Sequence, residues 1–326
     1  MGQHACCPRL NATYETLMKN YSLTLQKNKL GSKENAVGWL FVALPLVGCV
    51  LFTLVPAVMS IYLSMTDWNG YTQMGNANFI GGKNYADIFN GVYTPDLTRS
   101  LVNTAFLLLA VPIIMLLSLM LALALNRKVF GRGFFRVIYY TPAIANLVVV
   151  TILFNKMFSE YGVVNQLLVN IGLSPVKWLD DPTLAKVVII LLLVWRGVGY
   201  NTLLYLAGLQ NINESVLEAA KLDGVNKFTM FTKIIVPLIA PTTFFILVTN
   251  VMGGLQIYTE AAILFPYNSG LGPNGYGTET LMVWIYYQFS GQNQIGSACA
   301  MSWVLTSIIF VVTMIQFYVN YRRNKA

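Results

Sequence analysis

Side chains able to do covalent chemistry are few and scattered along this sequence. His4 is the one histidine, and Cys6, Cys7, Cys49 and Cys299 show neither C-x-x-C spacing nor companion histidines. Neither a zinc site nor a disulfide framework is supported. There is no H-E-x-x-H helix, no G-x-S-x-G nucleophile elbow and no G-x-x-x-x-G-K-[ST] phosphate loop, which argues against a metalloprotease, a serine hydrolase and an ATPase in this chain. What the sequence offers instead is hydrogen bonding in an apolar setting. Arg196, Asn201, Asn250 and Gln256 fall within or beside long apolar runs, and a polar group in a bilayer is costly unless it faces a cavity or a partner.

The elements that must carry those residues follow from composition. The chain is 56% apolar and 10% charged, against roughly half and a quarter in soluble domains. Runs of about 20 apolar residues span a hydrocarbon core. Six are expected: Val37–Leu63, Leu101–Leu125, Val137–Phe158, Leu184–Leu209, Ile234–Ile257 and Ile295–Val319. Prolines 45, 56, 112, 142 and 237 lie within them or at their ends, and predict kinks that neighbouring helices can tolerate. The expectation is an all-α polytopic membrane protein.

Lysine and arginine set the orientation. They crowd the N-terminal tail (Arg9, Lys19, Lys27, Lys29, Lys33), the turn from the second to the third run (Arg127, Lys128, Arg132, Arg136), the turn from the fourth to the fifth (Lys221, Lys227, Lys233) and the C-terminus (Arg322, Arg323, Lys325). The alternate segments hold only Lys83, Arg99, Lys156, Lys177 and Lys186. The positive-inside rule then predicts both termini in the cytoplasm. These cations flank apolar runs rather than forming an aromatic-laced stripe, so the net charge of +8 does not point to nucleic acid.

Residues 1–35 read as a cytoplasmic tail, residues 36–322 as the six-span domain and residues 323–326 as a second tail. In the first tail Leu10, Tyr14, Leu17, Met18, Tyr21 and Leu25 recur at helical spacing beside lysines, which predicts a helix on the inner membrane surface, with a partner-docking helix as the alternative. Gly2 and the Cys6-Cys7 pair lack the context of a lipidation signal. The first apolar run is expected to act as an uncleaved signal-anchor.

The cytoplasmic turn over residues 210–236 is too long for a minimal connection between antiparallel spans. Asn213 suits an N-cap and Glu214 the first turn of a short helix, with Val216, Leu217, Ala220 and Leu222 as its apolar face. Gly224 permits a positive-φ turn, and a second short helix runs to Pro237. Physics leaves two readings open: a surface helix that caps the bundle, or a docking element.

Glu218-Ala219-Ala220, then Gly224, Ile235 and Pro237-Leu238, resemble the "EAA" loop of binding-protein-dependent ABC importers. Trp195 to Tyr200, Leu206 to Gln210 and Trp178 to Pro182 resemble the oligosaccharide and glycerol-phosphate branch of those permeases, and the likeness runs from about Trp39 to Arg322. The resemblance implies a type I ABC importer permease fold in a bacterial inner membrane. It implies the following partners: a second homologous permease in a heterodimer, two ATPase subunits that hold ATP and magnesium, an extracellular binding protein, and a mono- or oligosaccharide cargo. No cofactor is implied for this chain, which would be a non-catalytic subunit. Glu218, Ala219, Ala220, Asp223 and Gly224 would form the ATPase-coupling element. Asn211-Ile-Asn213 stands where Ile-Pro is common, and Gly270-Leu-Gly-Pro273 with Thr278 and Thr280 alters the outer loop of the family.

Alignment on the Glu-Ala-Ala motif puts Arg196, Gly197, Tyr200, Asn250, Gly254 and Ile257 on positions that touch sugar in the maltose permease. Tyr200 could stack on a sugar face while Asn250 and Arg196 hold hydroxyls. An arginine at position 196 fits an anionic sugar, and equally a structural role that snorkels or bonds helix carbonyls. The rival function is an ion-coupled secondary transporter, which should carry carboxylates inside its spans; Glu260 and Glu279 lie near or outside span ends.

Overall fold

The computed structural model describes residues 32–71, 73, 77–126, 131–266 and 271–323. The surface helix expected around Leu10 to Leu25 lies outside these residues. The described residues divide into two compact units, the first ending at Ser60 and the second beginning at Ile61. Among the described residues the structure is helical, with one isolated β-bridge between Thr66 and Phe79.

In the first unit, α1 (Ser32–Cys49) passes through a π-helical turn at Val50–Leu54 into α2 (Val55–Leu63), whose last residues belong to the second unit. Leu40, Phe41, Leu44 and Phe52 are all exposed within this chain. An apolar surface of that kind suits lipid or a protein partner and not water.

In the second unit, α3 (Lys83–Asn90) precedes α4 (Thr94–Leu107) and α5 (Ala110–Asn126), which together make one apolar span. Pro112 cannot donate to the carbonyl of Leu108, and Val111 donates to it instead at 3.0 Å, marking the joint. Next come α6 (Arg132–Ile144), α7 (Leu147–Phe158) and α8 (Val163–Asn170). Then α9 (Pro182–Gln210) begins on Asp181, whose carboxylate accepts from the backbone of Thr183 and Leu184 at 2.8 and 2.9 Å. The turn over residues 210–236 holds α10 (Glu214–Leu222) and α11 (Lys227–Thr229). Beyond it come α12 (Val236–Leu238), α13 (Ala240–Leu255), α14 (Thr259–Leu264), α15 (Leu281–Tyr286) and α16 (Ile295–Arg323).

Among the described residues, five stretches are long and apolar enough to cross a membrane, and the bent pair Lys227–Leu238 plus Ala240–Leu255, taken as one span, makes a sixth. The pair is bent by 66°. Pro237 and Pro241 both remove backbone donors around the bend. The third span differs from expectation. The apolar run predicted at Val137–Phe158 is interrupted by an extended Ala145 (ψ 145°) and by Asn146, which caps α7 by accepting from the Val148 backbone at 2.9 Å. The stretch that meets the length and hydropathy of a span is Leu147–Asn170. α6 is thereby freed to pack on α9. A β-carbon at Gly199 would lie 2.4 Å from the Tyr139 carbonyl oxygen, so only glycine allows this approach.

Candidate transport cavity and coupling loop

The six residues expected along the path come from two helices. Arg196, Gly197 and Tyr200 share a face of α9, and Asn250 and Gly254 share a face of α13, with Ile257 just past its end. All six line one cavity of about 480 Å³, together with Asn201, Gln256 and Glu260. Tyr200 is 52% exposed, leaving its ring face open, whereas Asn201 is 3% exposed. Gly197 faces Ile114 of α5, where a β-carbon would come within 2.9 Å of that side chain.

Asn250, expected to hold a sugar hydroxyl, has a side-chain partner in the structure. Asn250 Nδ2 donates to Asn201 Oδ1 at 2.8 Å and to the Ile246 carbonyl at 2.8 Å. Asn201 Nδ2 donates back to Asn250 Oδ1 at 3.3 Å and to the Gly197 carbonyl at 2.8 Å. The amides form a cross-link between the two spans that flank the turn over residues 210–236.

Arg196 Nε is buried without a hydrogen-bond partner among the described residues. Glu260 lines the same cavity and is 8% exposed. Burial pushes its carboxyl above the ordinary range, while nearby Arg196 pulls the other way. Sequence reading left Glu260 out as lying near a span end. Its signal was position: it sits in the first turn of α14 immediately after an apolar span.

The turn over residues 210–236 folds as its residues dictate. Asn213 caps α10, accepting from the Ser215 backbone at 3.0 Å. The helix ends on Gly224 at φ +75°. Val225 N–H donates to the Ala220 carbonyl and Gly224 N–H to the Lys221 carbonyl, both at 3.1 Å. These are the paired bonds of a Schellman stop. Ala220 turns inward at 7% exposure, whereas Glu218, Ala219 and Asp223 are exposed. Leu222, one of the residues expected on the apolar face of this helix, is 88% exposed, and Phe228 is 76% exposed.

A second polar cluster, with no counterpart in the sequence reading, pins the segment before α15. Arg99 of α4 pairs with Asp96 and, at 2.6 Å, with Glu279. Its guanidinium also lies 3.8 Å from the centre of the Tyr276 ring. Asn103 donates to the Tyr276 and Glu279 carbonyls and accepts from Lys186.

The sequence pattern described as "binding-protein-dependent transport system inner membrane component" matches residues 97–325. The chain belongs to that family. It is 36% identical to the lactose transport system permease protein LacF of Rhizobium radiobacter, over 90% of this chain and 97% of that protein. It is 30% identical to the arabinooligosaccharides transport system permease protein AraP of Bacillus subtilis, over 86% and 88%. Among solved structures, a bacterial ABC transporter involved in the import of the acidic polysaccharide alginate matches with a TM-score of 0.71 at 25% identity, over 89% of this chain and 98% of that one. The protein is thus an inner-membrane, multi-pass permease subunit of a binding-protein-dependent sugar importer, and the ion-coupled alternative is not favoured.

Proposed function

We propose that this permease lines half of the sugar path with the cavity between α9 and α13 and receives the motion of a separate ATPase through residues 210–236. One observation carries the reading: Arg196, Gly197, Tyr200, Asn250, Gly254 and Ile257 converge on a single cavity, and the helices that bear them are the two joined by that turn. Movement of the turn changes their spacing directly. Exposed Glu218, Ala219 and Asp223, the Gly224 stop and the outward Leu222 and Phe228 suit a docking face for the ATPase. The remaining partners are a second permease in a heterodimer and an external sugar-binding protein, with both termini cytoplasmic. This chain carries no catalytic role; ATP and magnesium belong to the ATPase.

The test is reconstitution of the permease pair with its ATPase and binding protein in liposomes, with lactose as the first cargo because of the likeness to LacF. ATP-dependent uptake that falls when Tyr200 or Asn250 is truncated is expected. Uptake that follows an ion gradient and ignores ATP would overturn the reading. Labelling of single cysteines at Asn226 from the inside and Asn274 from the outside checks the orientation in the same vesicles.

A further inference from the structure

The Asn201–Asn250 pair determines which chemistry the cavity wall can offer. A primary amide has two N–H donors and one carbonyl oxygen with two lone pairs. Asn250 spends one N–H on the Ile246 carbonyl at 2.8 Å and the other on Asn201 Oδ1 at 2.8 Å. Asn201 likewise spends its N–H groups on the Gly197 carbonyl at 2.8 Å and on Asn250 Oδ1 at 3.3 Å. A helix carbonyl can only accept, so these contacts fix both amides with nitrogen toward their own helix. Each oxygen takes one bond from its partner and keeps one lone pair. The pair therefore has acceptors left for a cargo and no donors.

We propose that Asn201 is a positioning residue for sugar selection: it locks Asn250 so that this part of the wall accepts a hydroxyl hydrogen and donates none. This rests on the reading of the cavity as the sugar path. Donation is left to other groups lining the cavity, Arg196 among them. A free asparagine would serve either role by rotating about its last bond; the cross-link removes that freedom. Asn201 is 3% exposed, so it acts through Asn250 while contributing little surface of its own.

The experiment uses the complete reconstituted transporter with lactose and its set of monodeoxy and monodeoxyfluoro analogues. Fluorine can accept a hydrogen bond weakly but cannot donate one, whereas a deoxy position does neither. At the ring position facing the amide pair, wild type should carry both analogues about five- to tenfold more slowly than lactose, with fluoro no better than deoxy. In Asn201→Leu the Asn250 amide is free to turn an N–H outward, and the fluoro analogue should then exceed the deoxy analogue. Asn201→Asp keeps an oxygen to accept from Asn250 Nδ2 and should restore the wild-type ratio. A merely structural role would lower all three cargoes together and leave their ratios unmoved.

A fluoro analogue carried as well as lactose by wild type, or ratios unchanged in Asn201→Leu, overturns the inference. If Asn201→Leu does not assemble, the ratios in wild type and Asn201→Asp decide, and a fluoro preference in either counts against it. The sugar reading fails separately: Asn250→Ala and Tyr200→Ala with full lactose uptake would remove the cavity from the path whatever the amides do.

Discussion

Arg99 and Glu279 meet at 2.6 Å although 180 positions separate them in the chain. The pair ties the segment before α15 to α4. Glu279 is 1% exposed, and burial pushes its carboxyl from the ordinary 4.5 up to about 7 against the pull of Arg99. A carboxyl whose pKa is raised by folding binds protons more tightly in the folded state. Its contribution to stability is then fully present below about 4.5 and is lost as pH rises through about 7. Thermal unfolding of the purified permease should therefore show a melting temperature that falls from pH 5 to pH 8, and Glu279→Gln should flatten that fall. An equal slope in both proteins would remove Glu279 as its source.

The tight crossing of α6 and α9 gives a packing prediction. At Gly199 a β-carbon would sit 2.4 Å from the Tyr139 carbonyl oxygen, and backbone cannot swing aside as a side chain can. Gly199→Ala should cost about 1–3 kcal/mol and lower the amount of folded protein recovered from membranes. Gly133, on α6 itself, has nothing within 4 Å of a β-carbon. Gly133→Ala should be neutral or stabilising by up to about 1 kcal/mol. Recovery of the two variants after mild detergent heating checks both; equal recovery would show that the helices do not need this approach.

Much of this was legible in sequence because the bilayer imposes length and periodicity. The apolar runs located most of the spans, and the Asn213 cap and Gly224 stop were readable from residue type alone. The third span was misplaced because hydropathy ignores the break at Ala145 and Asn146, where an asparagine cap ends one helix and starts another inside an apolar stretch. The six residues singled out by the family resemblance line one cavity, a convergence that alignment on a motif carries and apolar spacing alone does not. The Asn201–Asn250 cross-link was not legible, since two asparagines on different spans show no register in a single sequence. The Arg99–Glu279 pair was hidden for the same reason, and Glu260 because a carboxylate just past a span end looks solvated until the fold buries it.

The turn over residues 210–236 yields a test of coupling. Gly224 adopts φ +75° with its N–H donated to the Lys221 carbonyl. Gly224→Pro fixes φ near −65° and removes that donor, so α10 loses its stop. Glu218→Lys reverses a charge on the exposed face while leaving the fold untouched. Both variants should reach the membrane at wild-type levels, yet retain little ATPase on affinity purification and transport at least tenfold more slowly. Wild-type retention of ATPase by both would assign the turn to capping the bundle.

Arg196 gives the prediction that bears most on cargo. Its Nε–H is buried without a partner, an arrangement that costs about 1–3 kcal/mol unless something fills it. Glu260 in the same cavity does not reach ion-pair distance, and burial favours its neutral form. The cavity therefore presents a guanidinium whose charge is incompletely compensated, suited to a carboxylate on an acidic sugar and usable by a neutral one through its lone pairs. Arg196→Leu should reduce uptake of an acidic oligosaccharide by tenfold or more, the scale of a hydrogen bond to a charged group, while uptake of a neutral one falls less. Arg196→Lys keeps the charge but loses the planar fork and should fall between. Tyr200→Ala removes a stacking face and should lower uptake of both cargoes alike. Competition between the two sugars in proteoliposomes measures the ratio directly. Equal loss of both in Arg196→Leu, together with poor recovery of the assembled complex, would show that the arginine holds the helices and does not read the cargo.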